Sequence, residues 1–270
     1  MEAARVAAIR GHEVILYEKE PKLGGLLPLA ALVKGLEIED LPALVRYLKV
    51  QITKLGVKIR LGQEVNPSVI EEIKPDVVIL AAGGIPAVPD IPGINRRNVV
   101  SSADLHRRLK KYLRFFSPKV IRWLTKFWMP IGKRVVVIGG QLHGCEIAEF
   151  LIMRGRKVTI VDTADTMGEG LMEELKWLFF RWLDKRGATT MTGVKYVEIT
   201  DKGLTIITKE GKRQTIEADT ILPAIPLAPN AELMKALEDK VPEIYAIGDC
   251  SEPRLIIDAI ADGYRIARAL

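Results

Sequence analysis

The chain of 270 residues is 48% hydrophobic and 27% charged, enough for one large domain or two medium ones and far from the composition of a disordered protein. Two cysteines, Cys145 and Cys250, exclude a disulfide scaffold and an iron–sulfur cluster, and no Cys-x-x-Cys forms a dithiol; they read as reduced thiols of a cytoplasmic protein. The net charge of +6 is local, because Leu105–Met129 holds eight basic residues and no acid, so the overall charge is no argument for nucleic acid as a partner. No apolar run approaches the ~20 residues of a membrane span. Arg5 and Arg10 interrupt the first apolar stretch, which does not read as a secretory signal.

In chain order, residues 1–10 read as a helix stopped by Gly11, and Glu13–Tyr17 as a buried strand closed by Glu18. This is the second half of a βαβ unit. Pro86, Pro89 and Pro92 follow ILAAGG (Ile79–Gly84) and mark a long loop. Leu105–Pro130 is split by Pro118 into two basic amphipathic pieces bearing Phe115, Phe116, Trp123, Phe127 and Trp128. Four readings of it stand open. It could be a docking surface for another domain or acidic partner, a site for a CoA-type phosphate, a membrane-surface contact, or, most plainly, a helical insert with its aromatics packed inward.

Arg134–Asp162 is a whole βαβ unit. Val135–Ile138 reads as a buried strand, Gly139, Gly140 and Gly144 as a glycine loop, and about Cys145 to Met153 as a helix. Gly155 stops that helix, Lys157–Val161 is the next strand, and Asp162 closes it. Residues 1–18 lie under residues 145–162 without gaps: Glu2 on Glu146, Ala4 on Ala148, Gly11 on Gly155, Val14 on Val158 and Glu18 on Asp162. The expectation is a repeated unit whose first copy starts without its strand and glycine loop, as in an N-terminal truncation. Further on, Tyr196–Ile199, Leu204–Thr208 and Thr215–Glu217 read as a meander turning at Lys209–Arg213. Pro223, Pro226 and Pro229 mark a return to the first domain, and EIYAIGDCS (Glu243–Ser251) precedes a helix over Leu255–Arg268.

The fold class expected is α/β, with two Rossmann-like dinucleotide-binding domains. An FAD-type domain is expected over 1–103 and 242–270, with an NAD(P)H domain over 104–241 inserted in it. In the second, Gly139, Gly140 and Gly144 would turn backbone N–H groups and a helix N-terminus toward pyrophosphate. Gln141 stands where the middle glycine of G-x-G-x-x-G belongs. Asp162 would accept hydrogen bonds from the adenosine ribose and repel a 2′-phosphate; with no lysine or arginine in Thr163–Gly170, NADH is favoured over NADPH. A structural glycine turn and an exposed strand-end acid are the plainer alternatives. No catalytic triad or metal spacing occurs, so no catalytic side chain and no metal site are assigned.

Over essentially its whole length the chain resembles the C-terminal reductase portion of the NADH:flavin oxidoreductases related to 2,4-dienoyl-CoA reductase, enoate reductase and trimethylamine dehydrogenase. The residues carrying the likeness are YEKEPKLGG (Tyr17–Gly25), ILAAGG, VVVIGGQLHGCEIAEFL (Val135–Leu151) and AIGDCSEPRLIIDAIADGYRIA (Ala246–Ala267). The resemblance implies an FAD site formed by Glu18, Lys19, Gly24, Gly25, Ala82 and Gly83. Gly248 and Asp249 would clamp the ribityl chain; the alternative for Asp249 is an N-cap of the last helix. FAD binding would be weakened or lost if the first glycine loop is truly missing. The family also implies a partner, a TIM barrel with FMN and an iron–sulfur cluster, as a separate domain or subunit. The expected activity is hydride transfer from NADH to FAD with electrons passed onward to that partner. The rival expectation is a subunit that binds ADP or NADH without turnover.

Overall fold

The computed structural model describes residues 1–33 and 40–270. It divides into two compact units, one of Met1–Pro28, Glu39–Pro86 and Leu227–Leu270, the other of Leu29–Ile38 and Ala87–Pro226. The crossings at Pro86/Ala87 and Pro226/Leu227 come earlier in the chain than residues 103/104 and 241/242. Ile91, Ile94 and Val99 pack into the core of the second unit, whereas Leu237 is fully buried in the first with Ile70, Leu80 and Cys250.

The chain opens with α1 (Glu2–Ile9), β1 (Ile15–Glu18), α2 (Leu27–Val33, which belongs to the second unit from Leu29 on), α3 (Leu41–Lys54), β2 (Lys58–Leu61), α4 (Pro67–Ile73), β3 (Val77–Leu80) and β4 (Ile85–Pro86), all but α2 lying in the first unit. The second contains α5 (Ser102–Phe115), α6 (Pro118–Leu124), β5 (Arg134–Ile138), α7 (Leu142–Ile152), β6 (Lys157–Val161), α8 (Glu173–Lys185), β7 (Thr189–Met191), β8 (Lys195–Thr200), β9 (Gly203–Ile207), β10 (Arg213–Glu217) and β11 (Thr220–Pro223). The chain then returns through β12 (Leu227–Ala228), α9 (Glu232–Leu237), β13 (Glu243–Ala246), a short 3₁₀ turn at Gly248–Cys250 and α10 (Ile256–Ala269).

In the second unit a parallel sheet has the order β11-β5-β6-β7, with β5 hydrogen-bonded on both sides. Its strands alternate between two cores. Val135 and Val137 join Ala148, Leu151, Phe179 and Leu183 of α7 and α8; Val136 and Ile138 join Ile199, Leu204 and Ile206 of the antiparallel β10-β9-β8 meander. Burial on both faces explains the unbroken β-branched run in β5. Each such side chain contributes ~1.5–3 kcal/mol of transfer free energy. The first unit has parallel pairs β1–β2 and β3–β13, and a short antiparallel pair β4–β12. Its helices α1 and α10 pack at Gly263, whose missing side chain leaves room for Ala3.

The gapless repeat is physical. Gly11 at φ 94° and Gly155 at φ 71° end α1 and α7 in the left-handed region. The N–H of His12 donates to the Ala7 carbonyl as that of Arg156 donates to Leu151, and those residues are partners in the alignment. Strand registers agree too: β1 sets Ile15, Leu16 and Tyr17 against Lys58, Ile59 and Arg60, and β6 sets Thr159, Ile160 and Val161 against Thr189, Thr190 and Met191. The likeness continues through α3 and α8. Each is followed by a left-handed glycine, Gly56 or Gly187, and by an N–H returning to the helix, Val57 to Ile52 or Ala188 to Leu183.

Candidate dinucleotide sites

In the second unit the strand end, the glycine loop and the start of α7 form one piece. The helix begins at Leu142, a turn earlier than expected, so Gly144 lies in its first turn and Glu146 beyond it. Gly139 has φ 109°, and a side chain there would meet the Ala224 carbonyl oxygen at 2.6 Å. At Gly140 it would meet Met167 at 2.6 Å. At Gly144 it would overlap the Gly139 carbonyl oxygen. The loop is glycine-rich because backbone packs on backbone, and this brings the N-terminus of α7 up to the end of β5. Gln141 is the N-cap of α7 without capping it; its amide donates instead to Glu169 at 2.6 Å. The free first-turn N–H groups of such a helix suit a pyrophosphate, although the Leu142 N–H already donates to the Glu169 carbonyl.

Asp162 closes the arrangement. Its carboxylate accepts from the Gly140 N–H at 2.5 Å and from the Ala164 N–H at 2.9 Å. The acid at the tip of β6 is thus brought to the loop after β5, as ribose recognition beside pyrophosphate requires. Met167 and Glu169, from the loop after β6, cover the glycines, and nothing in their spacing signals this.

In the first unit Glu18 repeats half of that geometry. Its carboxylate accepts from the Glu20 N–H at 2.9 Å, the equivalent of Ala164 in the alignment. Lys19 points elsewhere and pairs with Glu64 at 3.7 Å, both exposed. Gly24 and Gly25 both have positive φ; Gly24 packs on Val45, whereas a side chain at Gly25 would meet nothing. Ala82 and Gly83 follow β3 in an open turn with φ 77° at Gly83. Gly248, at φ 59°, donates its N–H to Asp262 at 3.2 Å.

Asp249 lies in the 3₁₀ turn, half-buried, and accepts only a long 3.4 Å bond from the Arg254 N–H. It is not the N-cap of the last helix: Leu255 holds that position, and Asp258 accepts the Leu255 N–H. Burial raises the Asp249 carboxyl above its ordinary range, the mark of an acid without adequate partners. Asp262 is the residue that sequence reasoning missed. Nearly buried within α10, it also accepts from Arg254 at 2.9 Å and from Arg265 at 2.5 Å. An acid in mid-helix carries no motif; the only available signal was its place three residues before Arg265.

Both thiols are withdrawn from solvent. Each is buried and donates to a main-chain carbonyl, Cys145 to Gly140 at 3.3 Å and Cys250 to Asn230 at 3.1 Å. Burial, followed by the charges of Glu146 and Asp162, pushes the Cys145 thiol up to about 12. Among the described residues no cluster of three or more His, Cys, Asp or Glu is placed to hold a metal ion, and no helix is long and apolar enough to cross a membrane.

Two nucleotide-type crossovers, each closed by an acid, define a class, that of the FAD- and NAD(P)-dependent oxidoreductases. The chain belongs to the pyridine nucleotide-disulphide oxidoreductase family, whose model matches residues 1–263. It is 34% identical over 268 residues to an NADH oxidase of Thermoanaerobacter brockii, covering 99% of this chain and 39% of that protein. It is equally 34% identical over 271 residues to a bilirubin reductase of Mediterraneibacter gnavus, covering 100% and 39%. Among solved structures, 2-naphthoyl-CoA reductase in complex with 2-naphthoyl-CoA superposes with a TM-score of 0.82 at 32% identity, over 100% of this chain and 38% of that one. The chain therefore spans about two fifths of the length of these relatives.

Proposed function

We propose that the chain is an NADH-dependent flavin reductase module, passing hydride from NADH to FAD and electrons onward to a separate FMN- and iron–sulfur-containing domain of the enoate- or dienoyl-CoA-reductase type. The observation that carries the reading is the convergence of Gly139, Gly140, Gly144 and Asp162 on one loop. The residues fit a dinucleotide: the glycines let the N-terminus of α7 come up to the end of β5, and Asp162 holds acceptor capacity beyond its two main-chain bonds. When bound, the nicotinamide and flavin supply the hydride chemistry. The chain's own part is to bind and orient. Gly139, Gly140 and Gly144 would let the first turn of α7 take the NADH pyrophosphate, and Asp162 the ribose, with NADH preferred to NADPH. Glu18, Gly24, Gly25, Gly83, Gly248 and Asp249 would hold FAD in the first unit. An NADH oxidase and reductases among the relatives support this reading.

The test is anaerobic titration of the purified chain, reconstituted with FAD. NADH should bleach the flavin band, NADPH should do so at least ~10-fold less effectively, and Asp162→Ala should narrow that gap. NADH and ADP binding without bleaching would leave a nucleotide-binding subunit without turnover and refute the reductase reading.

A further inference from the structure

The basic insert does not pack its aromatics inward, and this corrects the plainest sequence reading of it. α5 and α6 are capped by Ser101 and Ser117, whose hydroxyls accept from the Asp104 and Val120 N–H groups, and Pro118 opens α6. Ile121 faces the unit and is buried, and Arg154 of the segment after α7 fixes the end of α6 by donating to the Arg122 carbonyl at 3.0 Å and to Thr125 at 2.9 Å. With that side anchored, the others point out. Phe115 is 83% exposed, Phe127 72%, Trp128 71% and Trp123 57%; Phe116, Val120 and Leu124 are exposed as well. The Trp123 and Phe127 rings meet edge to face at 4.9 Å, and the turn of Lys126–Trp128 folds back on Trp123 and Leu124. Arg108, Lys111, Lys119 and Lys126 are exposed in the same segment, in which no acid occurs from Leu105 to Met129.

We infer that this corner docks on an anionic lipid bilayer, its aromatics entering the headgroup region and its lysines and arginines meeting lipid phosphates. Exposed aromatics so closely spaced along one segment mark an interaction surface. Their interleaving with cations, against the single acid Asp104 at the start of α5, which pairs with Arg107, selects a negatively charged partner. Between a bilayer and a protein the four lysines weigh for the bilayer: protein–protein interfaces share the enrichment in arginine and aromatics but are depleted in lysine, whereas interfacial membrane helices combine lysine and arginine with tryptophan and phenylalanine. The inference is independent of the nucleotide reading.

The experiment is co-sedimentation of the full chain with vesicles of phosphatidylcholine alone or mixed equally with phosphatidylglycerol, at low and high salt. Binding should be confined to the anionic vesicles, fall with salt, and shift tryptophan emission to the blue. Lys119→Glu with Lys126→Glu should weaken it more than ~10-fold. Phe127→Ser with Trp128→Ser should weaken it too; because these positions are exposed, both variants should melt as the parent does. Absence from both vesicle types, equal binding to neutral and anionic vesicles, or capture only by an acidic polypeptide or single-stranded nucleic acid would each overturn the inference.

Discussion

Cys145 shows how far a residue's surroundings outweigh its sequence context. A thiol in the first turns of a helix suggests a lowered pKa. Complete burial reverses that, and the Gly140 carbonyl binds the protonated form. Cys145 should therefore resist iodoacetamide at pH 8 in the folded chain and react once denatured, as peptide mass analysis would show. Asp249 carries a different cost. Its pKa is raised in the folded state by burial, so its contribution to stability is present below the ordinary carboxylate range and is lost as the pH rises through the raised value. Asp249→Asn should accordingly raise Tm at pH 7, the gain vanishing in acid, while weakening any FAD affinity. Calorimetry across pH and a flavin titration would separate the two effects. A residue kept at the expense of stability is what a binding position looks like.

At the scale of elements, α7 depends on Gly144. An alanine there would press its methyl group into the Gly139 carbonyl, and the helix would have to leave the end of β5. Gly144→Ala should lower stability by about 1–3 kcal/mol and abolish NADH affinity, readable by urea denaturation and NADH fluorescence. Gly155→Ala makes a useful contrast: its side chain would meet nothing, and only the positive φ opposes it. The elements were largely legible. Lys157–Val161 forms a strand within the expected bounds, and the meander lies where its alternation put it. Hydrophobic period and glycine stops are local signals, and the chain carries each twice. The bonds from Gln141 to Glu169 and from Gly248 to Asp262 were not legible, since each joins residues that only the folded loop brings together. Nor was the outward turn of the α5–α6 aromatics, because an amphipathic pattern shows that two faces differ and not which one is covered.

For the whole molecule, the arrangement of its crossings matters most. β4 pairs with β12, setting Pro86 against Leu227 and Ile85 against Ala228, and Gly84 has no room for a side chain beside Leu227. The polypeptide thus quits the first unit and re-enters it at neighbouring points, ~5 Å apart in such a ladder. Everything from Ala87 to Pro226 is, in topological terms, a long excursion from a hairpin. An Asn-Gly turn grafted between Pro86 and Leu227, with the buried Leu29 and Leu32 of the second unit changed to serine, should close the hairpin and leave a miniature that keeps the β1–β2 and β3–β13 ladders under hydrogen exchange, with NADH affinity gone.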